Sequence, residues 1–256
     1  MIALRTAKEF ELIRKSCHVV GKAHQALSKM VLPGVTTLEL DEVAEEAVRS
    51  TGAVPAFKGY HGFPATACVS VNEQVVHGIP GDRQLVEGDI VSIDLGAKLS
   101  GYFGDQAVTV AVGNADEDAD RLMQVTRESL HKGIEQAKDG NRLSDISGAV
   151  QDWVEQHGFS VVKQFVGHGI GRKLHEDPPV PNYVPVDRNP RLRKGMVLAI
   201  EPMVNAGDPE VVVAADGWTA SAIDGKASAH FEHVIGITDG APDILTMTED
   251  ELGYPA

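Results

Sequence analysis

The chain contains 256 residues, which is enough for one large domain or two small ones. Hydrophobic residues make up 43% and charged residues 23%, values typical of a globular protein and unlike those of disordered, collagen-like or fibrous chains. The 23 Lys and Arg residues against 37 Asp and Glu residues give a formal net charge of −14, which disfavours binding to nucleic acid or to an anionic membrane.

The cysteines and the apolar segments bear on the compartment. Cys17 and Cys68 are the two cysteines, too few for a disulfide framework, and they favour a reducing environment. No apolar run approaches the ~18 residues of a membrane-spanning helix, and the N-terminus lacks the apolar stretch of a signal peptide. We therefore expect a cytoplasmic protein.

Two helices are predicted near the N-terminus. Thr6 and Glu9 have the spacing of a capping box, and apolar residues then recur at helical spacing to about residue 30. Thr36 and Glu39 repeat this spacing after a Pro-Gly break, and an apolar stripe predicts a second helix that ends at Gly52.

Strands are predicted next, over residues 66–76, 89–95 and 102–110. The last two flank a short glycine-containing turn and are expected to form a β-hairpin. The pattern then predicts a helix over about 116–137, a second amphipathic helix that ends near Gly158, and strands up to the C-terminus. An order of two helices followed by strands therefore occurs twice.

The sequence itself also repeats. Residues 34–53 align without a gap on residues 140–159, and residues 87–96 align on residues 194–203 at an offset one residue larger. Shared helical periodicity could explain the first pair alone. The agreement of two distant segments favours duplication.

Duplication predicts the architecture of the chain. We expect one catalytic domain over residues 1–256, of the α+β class, with internal halves of about 1–115 and 116–256. The halves would face each other across a pseudo-twofold axis, and the cleft between them is the natural place for a site.

Two acidic residues of the first half lie in apolar strands. Asp94 interrupts the sequence IVSIDLG, and Asp105 follows eleven positions later. A hairpin centred between Leu99 and Ser100 would place the two carboxylates directly opposite each other, where like charges are destabilising. At ~4 Å this repulsion is about 1 kcal/mol in water and about 4 kcal/mol near a protein surface. A bound cation would offset it.

The second half supplies further metal-ligating side chains. Glu201 is the repeat partner of Asp94, Glu232 is expected in a strand of sequence HFEHVIGI, and His168 lies in the glycine-rich sequence GHGIG. Each of these alone would be an ordinary turn or surface residue. Together the four carboxylates and one imidazole carry a charge of about −4 and predict a site for two divalent ions, ~3.5–4 Å apart. The donor types leave Mn, Fe, Co and Zn open.

Two further histidines have the sequence context of site loops. His77 lies in VVHGIPGD and His175 lies in GRKLHEDPP, both rich in glycine or proline and close to a proposed ligand strand.

Five segments of the chain together resemble the signature segments of the type I methionine aminopeptidases, in the same order. They are VNEQVVHGIP, IDLGAKLSGYFGD, FVGHGIGRKLHEDP, LAIEPM and SAHFEHVIGIT. The chain is similar to the minimal bacterial form of that family. The resemblance implies a duplicated pita-bread (creatinase/aminopeptidase) fold with a central antiparallel sheet. It implies a dinuclear metal site, in which Asp105 and Glu232 bridge the ions, with the ligands Asp94, Asp105, His168, Glu201 and Glu232.

The implied reaction is removal of the initiator methionine from nascent polypeptides, with a small second residue preferred. Two divalent ions (Co, Mn, Fe or Zn) would activate water, and the free α-amine of the substrate would bind the ion held by Asp94. Glu201 would carry the proton, His175 would donate to the scissile carbonyl oxygen, and His77 would hold the amide nitrogen. The resemblance also implies substrate-binding walls formed by Tyr60, Phe63, Cys68 and Trp218.

The remaining expectations concern partners and rivals. The partner would be a nascent chain near the ribosome, and the protein is expected to be a monomer that binds neither a specific nucleic acid nor a membrane. Leu174 and Phe63 stand where better-known members carry an aromatic residue and a tyrosine.

One alternative is a proline-directed peptidase of the same fold, although such enzymes usually carry a large additional N-terminal domain. Another is a non-catalytic binding module, although such proteins lose metal ligands that this chain retains.

Overall fold

The structure, a computed structural model, describes residues 2–186 and 189–254. Its two N-terminal helices begin at the predicted capping residues. In α1 (Ala7–Leu27) and α2 (Thr37–Ser50), the preceding threonines, Thr6 and Thr36, each accept a hydrogen bond from the backbone N–H three residues on. The first helix ends three residues earlier than predicted.

Three more helices follow, and two of them confirm the sequence prediction. They are α3 (Glu117–Gln136), α4 (Leu143–Gln156) and the short α5 (Glu249–Leu252). Asp116 begins α3 by accepting a hydrogen bond of 2.8 Å from the backbone N–H of Ala119. The C-terminal α5 was not predicted.

Fifteen strands lie between these helices within the described residues. They are β1 (Val54–Pro55), β2 (Ala67–Val71), β3 (Gln74–Val76), β4 (Ile90–Leu99), β5 (Tyr102–Ala111), β6 (Ser160–Val161), β7 (Gly167–Gly169), β8 (Glu176–Val180), β9 (Val197–Ile200), β10 (Met203–Asn205), β11 (Val211–Val213), β12 (Ala220–Ala222), β13 (Ser228–His230), β14 (His233–Gly236) and β15 (Asp243–Ile244).

The strands form antiparallel sheets throughout the described part of the chain. One sheet has the order β1-β4-β2, with β5 also paired to β4, and the largest has the order β15-β14-β9-β7-β8. Two three-stranded sheets, β13-β10-β6 and β11-β12-β3, complete the set. In the described residues, no helix combines the length and apolar composition needed to cross a membrane.

The turn of the β4–β5 hairpin is centred one residue later than predicted, between Ser100 and Gly101. Leu99 pairs with Tyr102, so only Ser100 and Gly101 form the loop. Both loop residues have positive φ, +52° and +84°, as a two-residue turn that matches the right-handed strand twist requires.

This turn changes the relation between the two acidic residues. Asp94 pairs with Ala107, and Asp105 pairs with Gly96, so the prediction that the carboxylates lie directly opposite each other was wrong. They are diagonal neighbours on the same face of the hairpin, which is still close enough for both side chains to reach one ion.

The core lies between the helices and this sheet. Most of β4 is buried, because α1 packs against it and β13 from the second half of the chain also contacts it, while α2 packs against β1 and β2 of the same sheet. Helix α1 approaches β5 so closely that a Cβ on Gly104 would lie 2.3 Å from the backbone nitrogen of Cys17. The acidic residues of this hairpin are therefore enclosed within the protein.

Glu232 lies where the chain passes from the β13-β10-β6 sheet to the largest sheet. The prediction placed it within one strand, but it lies with Phe231 in a break between β13 and β14. Its backbone N–H donates to the carbonyl of Ala107 in β5 at 2.9 Å. The chain therefore passes from one sheet to another at Glu232, and its side chain lies beside the hairpin.

Candidate metal centre and substrate cavity

Three side chains from distant parts of the sequence form a compact cluster. One ligand atom each of Asp105, His168 and Glu232 lies within 4.8 Å of the others, and all three residues are buried. Asp105 comes from β5 and His168 from β7, while Glu232 comes from the connection between β13 and β14. Both halves of the chain therefore contribute to one site.

Glu201 lies between two imidazoles of the same cluster. It follows β9 directly, and its Oε1 atom lies 3.4 Å from Nε2 of His168. Its Oε2 atom lies 3.6 Å from Nε2 of His230. With Asp94 on the same face of the hairpin as Asp105, all five predicted ligands line one cavity.

The unpaired oxygens of the cluster fit a cation. Asp94 Oδ1, Asp105 Oδ1 and Glu232 Oε1 are buried and have no hydrogen-bond donor among the described residues. Within residues 2–186 and 189–254, no lysine or arginine forms an ion pair with these carboxylates. Buried carboxylates without donors are costly, and a divalent cation with oxygen and nitrogen ligands would satisfy them.

Burial raises the pKa of every carboxyl group in the cluster. The pKa of Asp94 rises to about 7 and that of Glu201 to about 8, with burial the largest cause in both. The pKa values of Asp105 and Glu232 rise well above the usual range, because burial is reinforced by the neighbouring carboxylates. The cluster therefore holds protons at neutral pH unless a cation replaces them.

The local backbone orients His168 as a metal ligand. Its Nδ1 lies 2.9 Å from the carbonyl oxygen of Gly169, which can only accept, so Nδ1 carries the proton and Nε2 presents a lone pair to the carboxylates. Burial lowers the pKa of His168 to about 3, which keeps the ring neutral. The flanking glycines are needed because a Cβ on Gly167 would lie 2.4 Å from the Ala199 carbonyl oxygen.

A cavity of about 280 Å³ opens beside the carboxylates. Its remaining wall is largely apolar and aromatic. Besides the five predicted ligands, it is lined by Phe57, Tyr60, His61, Phe63, Cys68, Val76, His77, Phe165, Val166, Leu174, His175, Met203, Trp218 and His230.

His77 projects from the end of β3 into this cavity. Its φ of +60° is rare for a residue with a side chain, and the following Gly78 fits tightly, since a Cβ there would lie 2.3 Å from the Val69 carbonyl oxygen. The ring lies edge-on to Phe165 and Trp218, with centroids 5.1 and 6.3 Å away. Burial lowers the pKa of His77 to about 4, so the ring is neutral at pH 7.

His175 lies at the mouth of the cavity, just before β8. Its Nδ1 is 2.9 Å from the hydroxyl of Tyr60. Its ring centroid lies 4.3 Å from that of His168, in an edge-on arrangement. Partial burial lowers the pKa of His175, which favours the neutral ring at pH 7.

The residues predicted to form the substrate-binding wall also line the cavity. Tyr60, Phe63, Cys68 and Trp218 all face it, and the rings of Phe63 and Trp218 meet edge-on at 5.2 Å. An Asx turn fixes Trp218, whose backbone N–H donates to Asp216 at 2.8 Å. Leu174, at 2% exposure, completes this side of the wall.

The sequence reasoning missed a second imidazole at the carboxylate cluster. His230 is 2% exposed, and its Nε2 has no hydrogen-bond partner in the structure. The signal was present in SAHFEHVIGIT, because His230 precedes Glu232 by two residues and would share its face in an extended chain. Phe165 and Met203, also missed, have no chemical signature that separates them from core residues.

Comparison with known families decides the class of the protein. The model of metallopeptidase family M24 matches residues 11–239, which is most of the chain. The chain belongs to this family. Membership in this M24 family implies a divalent metal, and the buried cluster of Asp105, His168 and Glu232 fits one.

Relatives of this M24 metallopeptidase match it over almost its full length. Methionine aminopeptidase 1 of Bacillus subtilis is 54% identical over 96% of this chain and 99% of the relative. The methionine aminopeptidase of Clostridium perfringens is 53% identical over 96% of this chain and 99% of its own length.

Solved structures show the same fold. The methionine aminopeptidase of Thermotoga maritima has a TM-score of 0.94 at 48% identity, covering 97% of this chain and 100% of that chain. The prolidase of Pyrococcus furiosus has a TM-score of 0.78 at 25% identity, covering 96% of this chain but 66% of that chain. The M24 metallopeptidase described here has the pita-bread fold, as the sequence predicted.

Proposed function

We propose that this M24 metallopeptidase removes the N-terminal methionine from nascent polypeptides, and that a small second residue is preferred. The observation that carries the proposal is one cavity, of about 280 Å³, bounded on one side by the carboxylate cluster and on the other by apolar side chains. A methionine side chain could bind the apolar wall while its peptide bond lies at the charged side. Full-length similarity to proteins named methionine aminopeptidase supports this substrate.

We assign the metal ligands to five side chains. Asp94, Asp105, His168, Glu201 and Glu232 would hold two divalent ions. When bound, such ions act as Lewis acids and lower the pKa of water toward neutrality. The charge of four carboxylates supports two ions rather than one. Mn, Fe, Co and Zn all suit these donors.

Glu201 is proposed to carry the proton between water and the leaving amine. Its side chain is 14% exposed, whereas those of Asp105 and His168 are 4% and 10% exposed. A proton carrier must reach the substrate, and Glu201 has the better access to the cavity.

The two cavity histidines are proposed to orient the peptide bond. If the Tyr60 hydroxyl donates to Nδ1 of His175, then Nε2 of that ring carries the proton and can donate to the scissile carbonyl oxygen as it gains charge. His77 is neutral at pH 7 and can donate to or accept from the amide beyond the scissile bond.

The side chain of the substrate methionine is proposed to contact Phe63, Cys68 and Trp218, with Tyr60 at the entrance. The free α-amine of the substrate would lie at the charged side of the cavity, beside Asp94, which would restrict cleavage to chain ends. Action in the cytoplasm near the ribosome and a monomeric state are proposed on the sequence alone.

Peptide cleavage tests the proposal directly. The purified protein, loaded in turn with Mn²⁺, Co²⁺, Fe²⁺ or Zn²⁺, would be offered Met-Ala-, Met-Lys- and N-acetyl-Met-Ala-initiated peptides and an Ala-Pro dipeptide. We expect rapid cleavage of the Met-Ala peptide, slow cleavage of the Met-Lys peptide and none of the other two. Cleavage of the acetylated peptide would refute the role of the free amine, and preference for Ala-Pro would favour a proline-directed peptidase.

Two variants test the histidine roles. His77→Ala and His175→Ala should each lower kcat by roughly 100-fold or more while the bound metal, measured by elemental analysis, is unchanged. Turnover within a few-fold of the parent protein would contradict the assignment for that histidine. A protein that binds no divalent ion at all would instead favour a non-catalytic binding role.

A further inference from the structure

The segment before α1 packs against the loop that carries His175. The backbone N–H of Arg5 donates to the Gly195 carbonyl at 2.6 Å. Its guanidinium lies against the backbone of Gly171, where a Cβ would come within 2.4 Å of Nη2. The side chain is only 8% exposed, and Nη1 also lies 3.9 Å from Glu9. Arg5 is therefore held beneath the loop.

The partner of Arg5 is the residue that follows His175. The guanidinium forms a close ion pair with Oε2 of Glu176, whose side chain is 15% exposed. The other carboxylate oxygen, Oε1, accepts hydrogen bonds from the backbone N–H groups of Arg172, at 2.8 Å, and Lys173, at 3.0 Å. One carboxylate thus closes the loop 171–175 and ties it to the N-terminal segment.

The Arg5–Glu176 ion pair is one of several contacts that hold the backbone on either side of His175. The loop also packs through Leu174, which is 2% exposed, and through Arg172, whose guanidinium lies 4.8 Å from the centroid of the Tyr102 ring and 3.4 Å from Glu9 Oε1. On the cavity side, the His175 ring has the Tyr60 hydroxyl at 2.9 Å and the His168 ring at 4.3 Å. Loss of the Arg5–Glu176 ion pair would let the His175 ring move relative to Tyr60 and His168.

We propose that Arg5 is a positioning residue, which fixes the ring of His175 in the cavity through its buried ion pair with Glu176. This inference rests on the proposed function for the role of His175. Removing one partner of a buried ion pair lowers stability because the other charge is left buried, and a displacement of about 1 Å at a reacting group can cost roughly 100-fold in rate. Loss of Arg5 should therefore lower turnover in addition to lowering stability.

The test compares two arginines that anchor the N-terminal region. Arg5→Met removes the guanidinium and keeps an unbranched apolar side chain. Arg14→Met is the matched control, because Arg14 in α1 also forms an ion pair, with Asp243 at 2.6 Å, and donates to the Ile244 carbonyl at 3.1 Å, away from the loop. We expect Arg5→Met to lower kcat on a Met-Ala peptide 10- to 100-fold with KM within about threefold, and Arg14→Met to lower it less than threefold.

Two further readouts separate positioning from general destabilisation. In a double-mutant cycle, adding Arg5→Met to His175→Ala should change kcat by less than about twofold, because the affected ring is already absent. Arg5→Lys, which keeps a charge for Glu176, should recover kcat to within about fivefold of the parent. Glu176→Gln should lower kcat as Arg5→Met does, which guards against a variant that fails to fold.

A measurement without substrate distinguishes this inference from the proposed function. Imidazole ¹⁵N–¹H spectra of the Zn²⁺-loaded protein report the tautomer and hydrogen bonding of His175, and these signals should change in Arg5→Met but not in Arg14→Met. Unchanged signals together with unchanged kcat, or a full 10-fold loss in the His175→Ala background, would overturn the role of Arg5. If the spectra change but no variant affects cleavage of Met-Ala, the positioning stands and the catalytic role of His175 fails.

Discussion

Metal binding is expected to release protons from the carboxylate cluster. Because burial raises the pKa of Asp94 to about 7 and that of Glu201 to about 8, the metal-free protein holds protons there at neutral pH. Divalent ions bind ionised carboxylates, so these protons must leave when an ion enters.

The size of the effect follows from the two pKa values. At pH 7 a group of pKa 7 is half protonated and a group of pKa 8 is about nine-tenths protonated, so the pair holds roughly 1.4 protons. Asp105 and Glu232, whose pKa values are raised further, add to this number. These two groups alone should make the apparent affinity for Mn²⁺ rise about 50-fold from pH 6 to pH 7.

Calorimetry measures the proton count directly. The chelator-treated protein would be titrated with Mn²⁺ at pH 7 in buffers of different ionisation enthalpy, and the slope of observed enthalpy against buffer enthalpy gives the protons released. Asp94→Asn should release fewer protons, whereas Asp152→Asn, on the exposed face of α4, should leave the count unchanged. An observed enthalpy that is the same in every buffer would refute the reasoning, because the cluster would then be ionised before metal binds.

Two predictions concern stability. Gly104→Ala should lower the free energy of unfolding, measured in urea, by about 1–3 kcal/mol or more, since its Cβ would lie 2.3 Å from the backbone nitrogen of Cys17. Gly148→Ala is the control: the nearest neighbour of its Cβ would be 3.6 Å away, so this variant should be neutral or stabilising. Equal effects would contradict the close approach of α1 to β5. Burial lowers the pKa of His24 to about 4, so below about pH 6.5 the unfolded chain binds a proton there while the folded protein does not. The contribution of the neutral ring to the free energy of unfolding is therefore complete above pH 6.5 and falls by about 3 kcal/mol as the pH approaches 4. His24→Gln should remove that part of the pH dependence, and an unchanged pH profile would show that the ring is not neutral when folded.

Features fixed by neighbouring residues could be predicted from the sequence. The capping boxes at Thr6 and Thr36 depend on residues three positions apart, and both helices begin as predicted. The acidic residues were recognisable because charge is unusual between apolar strand residues, as at Asp94. Chemistry that is costly to bury is therefore visible before the fold is known.

Features that depend on strand register, or on where the chain passes from one sheet to another, could not be predicted from the sequence. The centre of the observed hairpin lies one residue later than predicted, because Ser100 adopts a left-handed conformation that the sequence pattern does not require of a serine. Glu232 was assigned to a strand because its neighbours are apolar. In the structure its backbone N–H donates to the carbonyl of Ala107 in β5, which belongs to another sheet. His230 was overlooked because its importance depends on the position of Glu201, a residue 29 positions earlier in the chain.

The spread of the cluster along the polypeptide affects how the protein would be handled in the laboratory. An ion held jointly by Asp94 and Glu232 would join segments separated by more than half of the sequence, and it would bind the native state far better than the denatured ensemble. The melting temperature would then depend on free-metal concentration by mass action. Comparisons of variants are meaningful only at a buffered metal activity, since otherwise a weakened ligand would be mistaken for a weakened core.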